Sequence, residues 1–287
     1  MKIGINTKYI FSEKVYEKVK EAGFEGLDYS FAVDARVFEE PRKVWTEYFA
    51  HKRAELQACG LTPFQTHATF PTNVDGAARL TDVSLERMKK EIEAAAILGS
   101  PYIVIHPINF AIEEFRREEE YKTNIDCFSR LEPILSEFDL KLGVENMWLV
   151  DSLRSRYAKT SCSLAEDMIK IIDELNSDRF VACLDTGHVF MHGQSPATAA
   201  RKLNNRLKLM HASDNFGSHD SHKAPGQGSI DWKEYVKALK EIGYDGVFSL
   251  ELNCTNEFAI SEETGFAYLR YAYFAVKEIL KSAGAAL

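Results

Sequence analysis

The sequence predicts a (β/α)8 TIM barrel, an α/β fold, and three observations carry that reading. Eight short apolar runs alternate with longer helical segments along all 287 residues. No low-complexity linker or composition shift marks a boundary, so 1–287 reads as one barrel domain, and such a barrel takes about 250 residues. No Gly-rich phosphate loop follows the first run, which sets aside a doubly wound open sheet.

The first strand is Lys2–Asn6, and a helix striped by Val15, Val19 and Ala22 then closes at Gly23. Gly26–Ser30 and Thr62–His67 are the second and third strands. Leu85, Met88, Ile92 and Ala96 recur at helical spacing, and Gly99 with Pro101 stops that helix before the fourth strand, Pro101–His106. Lys141–Glu145, Phe180–Asp185 and Arg206–His211 supply the fifth to seventh. A stripe of Trp232, Val236 and Leu239, closed by Gly243, leads into the eighth, Gly246–Glu251. Several runs are nearly continuous in Val, Ile and Leu, as strands covered on both faces require. Glu21-Ala-Gly-Phe-Glu-Gly26 is echoed by Glu241-Ile-Gly-Tyr-Asp-Gly246, each where a helix hands over to a strand, which suits repeated βα units.

Composition narrows the function classes. Hydrophobic residues at 45% and charged residues at 27% exclude disordered, collagen-like and coiled-coil chains. A net charge of −8 disfavours nucleic acid and anionic membrane as partners. Cys59, Cys127, Cys162, Cys183 and Cys254 are odd in number and form no CxxC pair, so neither a disulfide framework nor a cysteine zinc site is expected. Cys183 reads as a small buried hydrophobe. The start, Met1-Lys-Ile-Gly-Ile-Asn6, lacks the apolar stretch of a signal peptide, and no window approaches a membrane span. The expected setting is cytoplasmic.

The chemistry gathers where the strands end. The third to eighth runs close on His67, His106, Glu145, Asp185, His211 and Glu251. Any one of these alone reads most simply as a helix cap or a solvated loop residue. Six in succession point elsewhere, because in a barrel these positions converge at the C-terminal mouth, where active sites are built. His51, His192 and His219 fall outside this set and are expected to be structural.

Glu145, Asp185, His211 and Glu251 would make a divalent-metal cage, since converging carboxylates without a cation repel one another. Carboxylate oxygens with one imidazole favour manganese, magnesium or cobalt, without excluding zinc. His188, in Asp185-Thr-Gly-His188, together with Asp220 and His222 offers a place for a second, softer cation. His67 and His106, sharing Glu145, offer a third. Hydrogen bonding to substrate is the equal alternative for these five.

These residues resemble the xylose-isomerase-like barrel superfamily, which holds sugar-phosphate isomerases and epimerases and the endonuclease-IV-type abasic-site enzymes. The resemblance spans the chain through Ile105-His-Pro107, Val144-Glu-Asn146, Leu184-Asp-Thr-Gly-His188, His211-Ala-Ser-Asp214, His219-Asp-Ser-His222, Pro225-Gly-Gln-Gly-Ser-Ile-Asp-Trp232 and Leu250-Glu251. It implies that Glu145, Asp185, His211 and Glu251 hold the catalytic metal. In the epimerase branch it implies that Glu145 and Glu251 move the proton and that His188 contacts substrate. In the endonuclease branch the nine positions matching His67, His106, Glu145, Asp185, His188, His211, Asp220, His222 and Glu251 bind three zinc ions. Two departures bear on the branch. Ketose 3-epimerases of the family carry an Arg six residues after the seventh-strand His, where this chain has Gly217. The endonucleases insert bulky loop residues into DNA after the third strand, where His67-Ala-Thr-Phe-Pro-Thr-Asn73 has one aromatic, Phe70, and no basic stripe.

The expected reaction is metal-assisted isomerisation or epimerisation of a sugar, sugar phosphate or keto-sugar through a cis-enediolate. Glu145 or Glu251 removes the proton next to the carbonyl, and reprotonation at the other carbon or on the other face decides the product. His188 would orient a hydroxyl, His222 or Lys223 would meet a polar end, and Phe70 and Trp148 would supply an apolar wall. A lyase or dehydratase acting on a keto-sugar is the alternative within the same chemistry. A three-zinc phosphodiesterase on abasic DNA is the alternative outside it. Amphipathic helices, including Phe266–Leu280, can bury their faces within a chain or between copies, which leaves a homo-oligomer open.

Overall fold

The computed structural model describes residues 1–71, 79–110, 117–151 and 156–285. Eight parallel strands form one sheet: β1 (Ile3–Asn6), β2 (Gly26–Ser30), β3 (Thr62–His67), β4 (Tyr102–Ile105), β5 (Lys141–Glu145), β8 (Phe180–Asp185), β9 (Leu207–His211) and β10 (Phe248–Leu250). Their order is β10-β1-β2-β3-β4-β5-β8-β9. The two ends of that order meet through a parallel bridge between Ala212 and Leu250. Hydrogen bonds from Ala212 N–H to the Ser249 carbonyl (2.7 Å) and from Glu251 N–H to the Ala212 carbonyl (3.2 Å) close the barrel there. The eight strands fall within a residue or two of the eight apolar runs.

Helices α1 (Val15–Ala22), α2 (Arg42–Ala58), α3 (Asp82–Leu98), α4 (Arg117–Glu137), α5 (Ala165–Leu175), α6 (Thr186–Met191), α7 (Pro196–Leu203), α8 (Trp232–Glu241), α9 (Thr255–Ile260) and α10 (Glu262–Ser282) fill the connections. The predicted stripes face inward: Leu85, Met88 and Ile92 on α3, and Trp232, Val236 and Leu239 on α8, are buried. Thr81 caps α3 by accepting from Ser84 N–H at 3.1 Å, and Gly99 ends it with φ 82° in the left-handed region.

Period-two alternation divides the strand side chains between two cores. Ile103, Ile105, Leu142, Val144, Ala182, Leu184 and Met210 pack outward among the helices in the main cluster. Val104, Val181, Cys183 and Leu209 form a separate cluster on the other face, inside the barrel. Cys183 is therefore the small buried hydrophobe expected. The alternation also sets the site, because His106, Asp185 and His211 each lie two residues past a member of the inner cluster. Gly143, two before Glu145, is held side-chain-free because a Cβ there would stand 2.6 Å from Leu209.

One element has no counterpart in the sequence reading. After β5 a two-stranded antiparallel hairpin, β6 (Leu149–Asp151) and β7 (Arg156–Ala158), rises beside the barrel mouth. Its strands are three residues each, too short for any periodicity to register. No helix among the described residues is long and apolar enough to cross a membrane.

Candidate functional site

A cavity of about 180 Å³ opens at the C-terminal end of the barrel. Glu145, Glu251, His106, His188, Asp220 and His222 line its polar side, and Phe70 and Trp148 part of its apolar side. His67, Asp185 and His211 are buried around it without lining it. Lys223 lines neither this cavity nor its neighbour; its ammonium stands 4.8 Å from the Phe216 ring centre. Thr72 and Asn73 of the loop after β3 lie outside the described residues.

Glu145 is the hub. Its Oε1 lies 2.9 Å from His211 Nδ1. Its Oε2 lies 2.8 Å from His106 Nε2 and 3.4 Å from His67 Nε2, without hydrogen-bond geometry to either. Glu251, from the end of β10, brings Oε2 to 3.2 Å from the same His211 Nδ1. Ligand atoms of His67, Glu145, His211 and Glu251 all fall within 4.8 Å of one another. So do those of Glu145, Asp185 and His188, and those of His188, Asp220 and His222. The structure thus groups three of the four expected cage residues with His67, and sets Asp185 with Glu145 and His188. His106 reaches the hub but belongs to none of these groups.

Asp185 stands apart because the chain turns directly from β8 into α6. Its Oδ1 caps that helix, accepting from His188 N–H at 2.7 Å, which leaves Oδ2 buried without a partner. His188 is fixed by its Nδ1, 2.8 Å from the Asn146 carbonyl, and Asn146 in turn clamps the Asp185 backbone through both amide atoms. Asp220 Oδ2 then spans His188 Nε2 (3.2 Å) and His222 Nε2 (2.8 Å). His222 holds a left-handed backbone, φ 44°, and its Nδ1 lies 3.1 Å from the Glu251 carbonyl, which ties the loop after β9 to β10.

Burial and charge compete at every group. Burial alone would push Glu145 up, but the imidazoles of His211 and His106 hold its carboxyl well below the usual range. Glu251 is likewise brought down to about 2, against burial, by His211, His222 and His67. Asp185 goes the other way: burial raises it to about 6, and Asp220 and Glu145 add to the rise while His188 opposes it. Burial lowers His106 to about 4, although Glu145 opposes it. His188 and His222 rise to about 10 in spite of burial, His188 through Asp185 and Asp220 and His222 through Asp220.

Four groups that the sequence reading did not single out complete the site. Asp28 Oδ2, from the middle of β2, lies 3.0 Å from His211 Nε2 and accepts from Asn6 Nδ2 at 2.8 Å. Gln65 Nε2 lies 3.1 Å from the same His211 nitrogen. Lys8 and Tyr9, just past β1, line the cavity. Burial would lower the Lys8 ammonium, but Glu251, Tyr9 and Glu145 outweigh it and raise it. The signal for Gln65 was its place two residues before His67, on the same strand face. For Asp28 it was a carboxylate in the interior of a buried strand.

Glu145 Oε2, Asp185 Oδ2, Asp220 Oδ1 and His67 Nε2 are buried with no hydrogen-bond partner. Leaving such atoms bare costs about 1–3 kcal/mol each, more for charged groups. Three of these atoms belong to Glu145 and residues grouped with it, and Asp220 belongs to the separate group with His188 and His222; carboxylate oxygens beside an imidazole suit a divalent cation, so the donor set around Glu145 fits one.

A family model described as "Xylose isomerase-like TIM barrel" matches residues 16–270. An uncharacterized protein of Methanocaldococcus jannaschii is 27% identical over 277 residues, covering 94% of this chain and 89% of that one. A D-psicose 3-epimerase of Enterocloster bolteae is 26% identical over 260 residues, covering 88% of this chain and 82% of that one. Among solved structures, the IOLI protein with a binding zinc atom superposes with a TM-score of 0.75 at 20% identity, covering 98% of this chain and 99% of that one, a likeness of fold.

Proposed function

This chain belongs to the xylose isomerase-like TIM barrel family, and on that premise we propose that it is a divalent-metal-dependent isomerase or epimerase of a sugar or keto-sugar, acting by proton transfer next to a carbonyl. The observation that carries the reading is the pair Glu145 and Glu251. They reach from separate strands to 2.9 Å and 3.2 Å of one imidazole nitrogen, on the wall of a cavity sized for a small polar molecule. Both carboxylates also line that cavity, so a carbon held in it is within reach of two acid–base groups from different strands. The similarity to a D-psicose 3-epimerase supports a carbohydrate substrate.

Glu145, His211 and Glu251, grouped with His67, would hold the cation, and Asp185, grouped with Glu145 and His188, would reach it through its unpartnered Oδ2. When bound, such a cation polarises a carbonyl as a Lewis acid, and manganese, magnesium or cobalt suits the carboxylate-rich donor set while zinc suits its imidazoles. The held-down carboxyls of Glu145 and Glu251 stay ionised at neutral pH and are able to accept a proton. One of them takes the proton from the carbon beside the carbonyl; the C–H pair becomes the second bond between the two carbons as the carbonyl π pair moves onto its oxygen, giving an enediolate. Return of a proton to the neighbouring carbon isomerises the sugar; return by the opposite carboxyl to the other face epimerises it. His188, held by Asn146 and Asp220, orients a hydroxyl, and Phe70 and Trp148 pack on the sugar's apolar face.

Exchange of the α-proton of a panel of ketohexoses in D2O tests this. The manganese-loaded chain exchanges at least one of them, chelation stops exchange and manganese restores it. Glu145→Gln and Glu251→Gln each fold normally by circular dichroism and lose about 10²–10⁴-fold in exchange rate. Full exchange in Glu251→Gln would remove that residue from the mechanism.

A further inference from the structure

Beside the polar cavity lies a second one of about 410 Å³, and Phe70, Met147 and Trp148 line both. Among the described residues, Asn109 apart, the rest of its wall is apolar: Pro71, Pro107, Ile108, Phe110, Leu149 and Val150. A free monosaccharide has hydroxyls on nearly every carbon and nothing to place there, so the smaller cavity accounts for it and the larger stays unexplained.

The walls are held in place by buried polar groups from the helices behind them. Glu91 on α3, fully buried, accepts from Thr69 N–H at 3.1 Å and fixes the backbone next to Phe70. Asn124 on α4 brackets Ile108, its Oδ1 accepting from the Ile108 N–H (2.7 Å) and its Nδ2 donating to the Ile108 carbonyl (3.0 Å). Glu120, one turn earlier, accepts from Phe110 N–H at 3.0 Å. Burying two carboxylates to hold loop backbone is costly unless their bonds are made, and here each carboxylate meets a loop amide. The apolar chamber is thereby a preformed pocket beside the polar one.

We propose that this chamber is a subsite for an apolar ring carried by the substrate, so that the preferred substrate is a keto-sugar or cyclic keto-polyol that bears an aryl group, with free ketohexoses turned over as truncated substrates. The inference rests on the carbohydrate reading above and specifies its substrate class. The sugar occupies the polar cavity against Glu145 and Glu251, the ring passes the wall shared by Phe70, Met147 and Trp148, and the chamber removes it from water.

Calorimetric titration of the manganese-loaded full chain with phenyl and methyl β-D-glucopyranoside tests it, alongside the ketohexose exchange panel. The phenyl glycoside binds roughly ten- to hundredfold tighter, the effect of burying one aromatic ring. Leu149→Glu or Val150→Glu, at a half-buried and an exposed position of the hairpin, abolishes that preference and leaves methyl glycoside binding and ketohexose exchange unchanged. Equal binding of the two glycosides, or binding of neither, while ketohexoses exchange overturns the aryl subsite and leaves the isomerase reading standing. Neither binding nor exchange overturns both. A phenyl preference that survives both variants places the ring elsewhere and overturns the assignment.

Discussion

His211 is gripped at both ring nitrogens, by Asp28 and Gln65 at Nε2 and by Glu145 and Glu251 at Nδ1. Asp28 is a positioning residue: it does not line the polar cavity and acts through the imidazole it orients. Groups that orient a ligating histidine in this way typically matter 10–100-fold. Asp28→Asn should therefore lower α-proton exchange by about tenfold or more while KM for the ketohexose changes little. A fall in both rate and melting temperature without that split would reduce Asp28 to a structural role. At this scale the sequence disclosed the strand-end histidines and carboxylates, since each closes an apolar run. Asp28 was hidden because its partner, His211, is close only after the barrel has closed.

Among the elements, α4 does more than cover the barrel. Asn124 makes its hydrogen bonds to Ile108, the Glu120 carbonyl and Ser161 from a fully buried position, so it binds α4 to the loops after β4 and β7. Asn124→Ala leaves the Ile108 N–H and carbonyl without their partner, at about 1–3 kcal/mol for each group. Chemical denaturation should register that loss as a lower midpoint with unchanged slope; an unchanged midpoint would mean the loop does not depend on α4. The helices themselves were legible from their stripes and from glycine ends such as Gly23, φ 111°, where a Cβ would stand 2.6 Å from the Tyr273 ring. The hairpin β6–β7 was not, because its three-residue strands are specified by where β5 delivers the chain rather than by any repeat of their own.

For the molecule as a whole, buried ionisable groups set the response to acid. Burial holds the His192 imidazole down at about 4, with Lys159 and His188 adding to the effect, and its Nε2 has no partner. The same group in an unfolded chain titrates near 6.5. Between those values the unfolded chain binds a proton that the folded chain refuses. The stability present above pH about 6.5 is therefore lost as pH falls through about 4. Melting temperatures measured over that window should fall more steeply for the natural chain than for His192→Gln; parallel curves would mean His192 titrates normally when folded. All five cysteines are free, and burial pushes the thiols of Cys127, Cys183 and Cys254 up to about 12, so these three are poor nucleophiles.

By itself the amino-acid sequence determined the eight strands, their order along the chain and the identity of the residues that close them. These are local properties: an apolar run and the residue that closes it lie within a few positions of one another. Only the tertiary structure decided which of those residues meet. Asp185 gives one oxygen to capping its own helix, His67 takes a place beside Glu145, Asp28 enters from a strand that ends on no candidate residue, and Gln65 from inside the strand that His67 closes. Distances across a barrel mouth depend on strand register, and register is fixed by pairings between segments far apart in the chain, so no stretch of sequence carries them alone.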